Sequence, residues 1–311
     1  MVGFCAFFSV LFDGSDNEST RREFIRALCD SGMVLAFVLI VYYLLGLNEV
    51  TASLPIGENI DHNPLRNIAV SYFFLAMPFA FYCSKEKPVF LLGGVLIYAS
   101  CILSGSRMGL LFGTAQFIVC MLFFIATVKK RKWLYAVVFV VLLTVLVFSL
   151  GDILDSYVER LTEDFGSGNF INVNESRFEL MRRSVKDFLS NPIFGRGLGY
   201  TGNEDCYMPA QFEMHWYHNF VCQIIGSLGI LGIVAYMYQL YSRVMLIFKR
   251  PSSFGWLVGL MYVGALMSGI TDTGIFTPFP TVFLLSFAFI LVAKETDAQD
   301  AAEAEKAVSA E

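Results

Sequence analysis

Two kinds of side chain are spaced along this chain so as to handle an anion and a proton. Arg107 stands in Ser104-Gly-Ser-Arg, a short connection between two apolar runs. Arg177, Arg182 and Arg183 lie in Glu175-Ser-Arg-Phe-Glu-Leu-Met-Arg-Arg-Ser-Val-Lys-Asp-Phe-Leu-Ser, and Arg196 follows in Asn191-Pro-Ile-Phe-Gly-Arg-Gly. A guanidinium stays charged at any working pH and holds phosphate oxygens through two parallel N–H groups, so several together suit a pyrophosphate. Two of the three histidines, His215 and His218, occur in Met214-His-Trp-Tyr-His-Asn-Phe, three apart and so neighbours on a helix. An imidazole titrating near neutrality is a candidate base for a hydroxyl nucleophile. Fixed cations beside such a base can stabilise charge developing on a departing phosphate without a metal.

The elements that must position these groups are membrane helices. Hydrophobic residues make up 56% of the 311, charged residues 16%, and Phe occurs 31 times, which places the chain in a bilayer. Apolar runs long enough to span about 30 Å of hydrocarbon predict eight spans, near 28–47, 67–83, 88–104, 107–128, 133–150, 219–248, 254–271 and 276–293. Threaded alternately, Arg21, Arg22, Arg26, Lys85, Lys87, Lys129 to Lys132, Arg243, Lys249, Arg250 and Lys294 fall on one side, and the opposite short connections hold only Arg66 and Arg107. The basic side is cytoplasmic by the positive-inside rule, so the 151–217 loop is external. The expected architecture is an all-α polytopic membrane protein of eight or nine transmembrane helices. Residues 28–150 and 218–293 form the spans, and residues 294–311 form a cytoplasmic, acidic, alanine-rich and disordered tail.

Segment 1–27 fits no span. Met1 to Phe12 is apolar but short, lacks the basic flank of a signal peptide, and leads into a polar stretch, so it reads as part of a truncated helix or as an interfacial piece. Six of the seven cysteines lie in apolar runs and only Cys206 in the large loop, which gives neither a disulfide framework nor a zinc spacing. A net charge of −5 spread over loops and tail offers nothing to nucleic acid.

Within the external loop, Ser176-x-x-Glu179 is a capping box that starts a helix over 176–190, and Pro192 stops it. Phe178, Met181, Val185, Phe188 and Leu189 share one face; Arg182, Arg183, Lys186 and Asp187 take the other. Such a helix lies along the outer membrane surface or packs on the external ends of the spans, with Arg182, Arg183 and Lys186 as a solvated face that meets lipid phosphates. Arg177 differs, because it sits in the first turn, where the helix dipole disfavours a cation. Gly195-Arg-Gly197-Leu-Gly199 lacks the order of a nucleotide-binding loop and reads as a tight turn. Arg196 within it is placed equally for an anionic donor or for the surface. His215, with Trp216 and Tyr217, suits a membrane interface as well as a site, and His62 reads as a loop residue. Arg107 must sit at the hydrocarbon boundary, where a cation requires an anion or a snorkelling path.

The order of these motifs, with Ile224-Ile-Gly226-Ser-Leu-Gly229-Ile-Leu-Gly232 after them, resembles the O-antigen ligase and polymerase family of bacterial membrane glycosyltransferases. The resemblance rests on an arginine, an Asn-Pro-x-Phe-Gly turn and a His-Asn pair, together with the Ser-Arg motif ending at Arg107. It implies an enzyme of the bacterial plasma (inner) membrane, acting on its external side, that moves a glycan from undecaprenyl pyrophosphate to lipid A–core or to another repeat unit. No metal, nucleotide sugar or other cofactor is implied. By the same resemblance Arg107, Arg177 and His218 are catalytic, and Arg196, Asn219 and His215 bind substrate. The alternatives are a polysaccharide flippase or other transporter and an inactive membrane remnant. Spans almost free of midplane charge, with no inverted repeat, speak against transport.

Overall fold

The structure is a computed structural model that describes residues 17–45, 64–85, 87, 89–104, 106–128, 132–149, 175–197, 217–271 and 281–310. These residues form nine helices and no strand: α1 (Asn17–Leu44), α2 (Pro64–Cys83), α3 (Val89–Leu103), α4 (Arg107–Thr127), α5 (Lys132–Ser149), α6 (Glu175–Ser190), α7 (Phe220–Lys249), α8 (Ser253–Thr271) and α9 (Phe283–Ala310). Stretches of α1, α4, α7 and α8 are long and apolar enough to cross a membrane, and α2, α3 and α5 contain shorter apolar stretches. Met1 to Phe12, His62, Cys206, His215 and residues 151–174 lie outside the described residues.

Helices α1 to α4 and α8 pack as a bundle around α2. Phe73, Phe74, Phe79 and Phe81 of α2 are fully or almost fully enclosed, and the rings of Phe24, Phe79, Phe254 and Phe287 meet edge-on or tilted. Pro78 has no N–H, so the carbonyl four residues earlier, on Phe74, loses its helical partner. Gln116 of α4 replaces that partner. Its Nε2 donates to Phe74 O at 2.9 Å and to Leu260 O of α8 at 3.2 Å, and Gly264 leaves room for it, since a Cβ there would lie 2.7 Å from Nε2. One amide thus ties three helices together where a buried carbonyl would otherwise go unbonded.

Three expectations are revised. Helix α1 begins at Asn17, not near 28, because Phe24, Ile25 and Leu28 already belong to the core. The tail is not disordered through residue 310. It continues α9, and Lys249 bonds to Asp300 at 2.7 Å while Arg250 bonds to Asp300 at 2.9 Å and to Glu303. Lys249 and Arg250 hold the Asp300 carboxyl below its ordinary range. Arg243, expected in a basic connection, is buried within α7, its guanidinium 4.7 Å and 5.1 Å from the ring centres of Tyr262 and Phe289.

Gln116→Leu, which strands the Phe74 carbonyl, is expected to lower stability by about 1–3 kcal/mol. A fall in the midpoint of thermal unfolding in detergent checks this, and an unchanged midpoint contradicts the bridging role.

Candidate active site

The most informative local feature is a break in α7. Gly229 has φ 61° and ψ −155°, a conformation nearly exclusive to glycine. Phe220 and Tyr236 stand 16 residues apart, about 24 Å along a straight helix, yet their ring centres are 5.7 Å apart. The segment before Gly229 therefore folds back against the segment after it. The single expected span over 219–248 is instead a short helix and a long one meeting at a sharp bend.

A bend of this kind frees backbone groups on both sides, and the Asn-Pro-x-Phe-Gly turn takes them up. Arg196 N donates to Gly226 O at 2.9 Å and Gly197 N to Ser227 O at 2.9 Å, while Ile230 N donates to Pro192 O at 2.8 Å and Leu231 N to Ile193 O at 3.2 Å. The fit depends on two glycines. A Cβ on Gly229 would lie 2.6 Å from Gly195 N and Pro192 O, and one on Gly195 would lie 2.3 Å from Ser227 C. Gly195 also has φ 68°.

Helix α6 rests on this junction through a face different from the one its pattern suggests. Ser184 and Asp187 are buried, whereas Val185 and Leu189 are 51% and 72% exposed. The reason is a polar contact. Tyr217 Oη donates to Asp187 Oδ2 at 2.6 Å, and Arg196 Nε lies 3.9 Å from Asp187 Oδ1 and donates to Ser190 Oγ at 2.8 Å. Tyr217 is further held by its N–H, which donates to Gln223 Oε1 at 3.1 Å; Gln223 Nε2 in turn donates to Ser227 Oγ at 2.8 Å.

His218 follows Tyr217, exposed and with φ 49°, the one positive-φ residue other than glycine among the described residues. Asn219 caps α7: its Oδ1 accepts from Val221 N and Cys222 N, and its Nδ2 donates to Ile270 O of α8 at 2.8 Å. Short steps connect this point to Arg107. Ser268, two residues before Ile270, shares a 2.8 Å hydrogen bond with Ser71 of α2. Val70, next to Ser71, packs in one cluster with Met108 and Phe74. Arg107 precedes Met108 as the first residue of α4, after the cap in which Ser106 Oγ accepts from Gly109 N. Arg107 and His218 therefore lie at one end of the bundle.

Arg177 is the third residue of α6, about 15 Å along the helix from Asp187. The structure brings the C-terminal end of α6, not the end with Arg177, to Tyr217, and the arginine beside that contact is Arg196. Sequence reasoning missed Asp187, Tyr217, Gln223 and Ser227 as site-forming residues. The signal available was the recurrence of glycine at 226 and 229 beside a proline–glycine turn. Among the described residues, no three His, Cys, Asp or Glu side chains group as metal ligands would.

Apolar helices arranged in this way define a multi-pass membrane protein. Residues 92–237 match the family model Wzy_C, described as O-antigen ligase, so this stretch is similar to that family. The match supports a glycosyltransferase-type role in surface-polysaccharide assembly. Comparison with curated proteins and with solved structures gave no match.

Gly229→Ala forces a side chain into a glycine-only conformation and against backbone, whereas at Gly197, with φ 94°, a Cβ would meet nothing within 4 Å, so that alanine there carries strain without a clash. Gly229→Ala is expected to destabilise by more than the roughly 1–3 kcal/mol of strain alone, and Gly197→Ala by less. Thermal unfolding of both variants in detergent checks the order, and equal midpoints contradict it.

Proposed function

We propose that the protein transfers a glycan from undecaprenyl pyrophosphate to an acceptor hydroxyl, on lipid A–core or on another repeat unit, at the external face of the bacterial plasma membrane. The observation that carries this reading is the O-antigen ligase match over residues 92–237, a stretch that includes Arg107, Arg177, Arg196, His215, His218 and Asn219. In the reaction the acceptor oxygen attacks the anomeric carbon. The sugar–phosphate C–O bond breaks, its electron pair leaves with the lipid pyrophosphate, and the acceptor proton passes to His218.

Arg107 and Arg177 bind the pyrophosphate and stabilise the charge it acquires. The first turns of α4 and α7, at one end of the bundle, add partial positive charge there. Arg177 and Arg196 stand at opposite ends of α6, so the donor lies along that helix with Arg196 on the side away from the pyrophosphate, against the glycan. His215 contacts the acceptor. Asn219 serves the site through its cap, which sets the backbone on the C-terminal side of His218.

Arg107→Ala and Arg177→Ala are expected to abolish transfer with the protein still in the membrane, and Arg→Lys at either position is expected to restore only part of it. Arg183→Ala is mild. His218→Ala is expected to reduce turnover by about 10² to 10⁴ with donor binding retained, and His215→Ala much less. The check is donor-lipid binding and glycan transfer on purified variants. Equal tolerance of Ala at the three arginines returns them to lipid anchoring, and near-normal transfer by His218→Ala removes the base.

A further inference from the structure

We infer that Asp187 and Tyr217 are positioning residues for His218, holding it in the left-handed conformation from which it meets the acceptor; this rests on the reading of His218 given above. For a residue with a side chain, the left-handed region costs about 1–2 kcal/mol, and it persists only where neighbours impose it. Here both neighbours are fixed. On one side, Asn219 is bonded through its amide to Val221, Cys222 and Ile270. On the other, Tyr217 is held at three points: its N–H by Gln223 Oε1, its ring against Gly226, where a Cβ would lie 2.9 Å from ring atoms, and its hydroxyl by Asp187 Oδ2 at 2.6 Å. His218 is exposed between two buried, bonded residues.

Asp187 is 7% exposed, on the helix face that also buries Ser184. Burial of a carboxylate is unfavourable unless its oxygens are bonded, and here one oxygen accepts the Tyr217 hydroxyl and the other faces Arg196 Nε at 3.9 Å. The contact is a side-chain link from α6, which carries the candidate donor-binding Arg177, to the strained peptide that carries the candidate base. It sets the imidazole relative to the donor without touching either substrate. Removing it lets His218 relax, and a misplacement of about 1 Å in a reacting group costs on the order of a hundredfold in rate.

The test is a double-mutant cycle on purified protein in lipid nanodiscs, with transfer rate and donor-lipid KM as readouts. Tyr217→Phe keeps the ring on Gly226 and loses only the hydroxyl. It is expected to lower kcat by about ten- to a hundredfold with KM for the donor within about twofold. Asp187→Asn, whose amide oxygen still accepts from Tyr217, is expected to retain more activity than Asp187→Ala. In the His218→Ala background, Tyr217→Phe should cause no further loss, because the hydroxyl acts only through the imidazole. Near-wild-type kcat for Tyr217→Phe, or a loss that adds in full to that of His218→Ala, overturns the inference and leaves the His218 reading standing. Near-normal transfer by His218→Ala alone removes that reading and the inference together.

Discussion

The arrangement depends on four backbone hydrogen bonds that fill the break in α7. A helix bent at Gly229 leaves carbonyls at Gly226 and Ser227 and amides at Ile230 and Leu231 without helical partners, and at membrane depth each unsatisfied group costs several kcal/mol. The Asn191 to Gly197 turn supplies donors and acceptors in register. The bend and the turn thus stabilise each other, and their joining fixes everything attached to them: α6 on one side, Tyr217 and His218 on the other. Glycine at 195 and 229 is required by that close approach, because any Cβ would meet backbone that cannot move aside.

The bundle below supplies a rigid floor by the same logic. Pro78 opens a carbonyl in α2, and Gln116 closes it from α4 while also reaching α8. The Ser71–Ser268 and Asn219–Ile270 bonds continue this level outward to the end of the bundle where α4 and α7 begin. In both places a residue that interrupts a helix creates a polar need, and the group that meets it ties separate helices together. Arg107 and His218, more than a hundred residues apart in the chain, come to one end of the molecule through such steps.

Much of this was legible in the residues. The eight apolar runs each overlap a helix, and the helix expected over 176–190 is found over Glu175–Ser190, before Pro192, with Ser176 inside its first turn and not at its cap. The family resemblance carried by Arg107, the Asn191 turn and the His218–Asn219 pair agrees with the match over 92–237. The bend in α7 was not legible, because hydropathy records that 219–248 is apolar and says nothing of where the helix reverses. The buried face of α6 was misread for a related reason. Periodicity assigns Asp187 to the solvent side with Arg182 and Arg183, whereas one hydrogen bond from Tyr217, thirty residues on, outweighs that pattern. The helical course of residues 295–310 escaped composition alone, since the acidic residues find cations on α7 and in the connection after it.

The most direct measurement is amide hydrogen exchange at Arg196, Gly197, Ile230 and Leu231 in the lipid-embedded protein. With the turn docked in the break, these four amides are expected to exchange slowly and together, with the Asn191 to Gly197 segment as protected as neighbouring helical backbone. Exchange of Arg196 and Gly197 at the rate of a free loop, with unbroken helical protection through Gly226 to Leu231, would contradict the docked turn and the site geometry built on it.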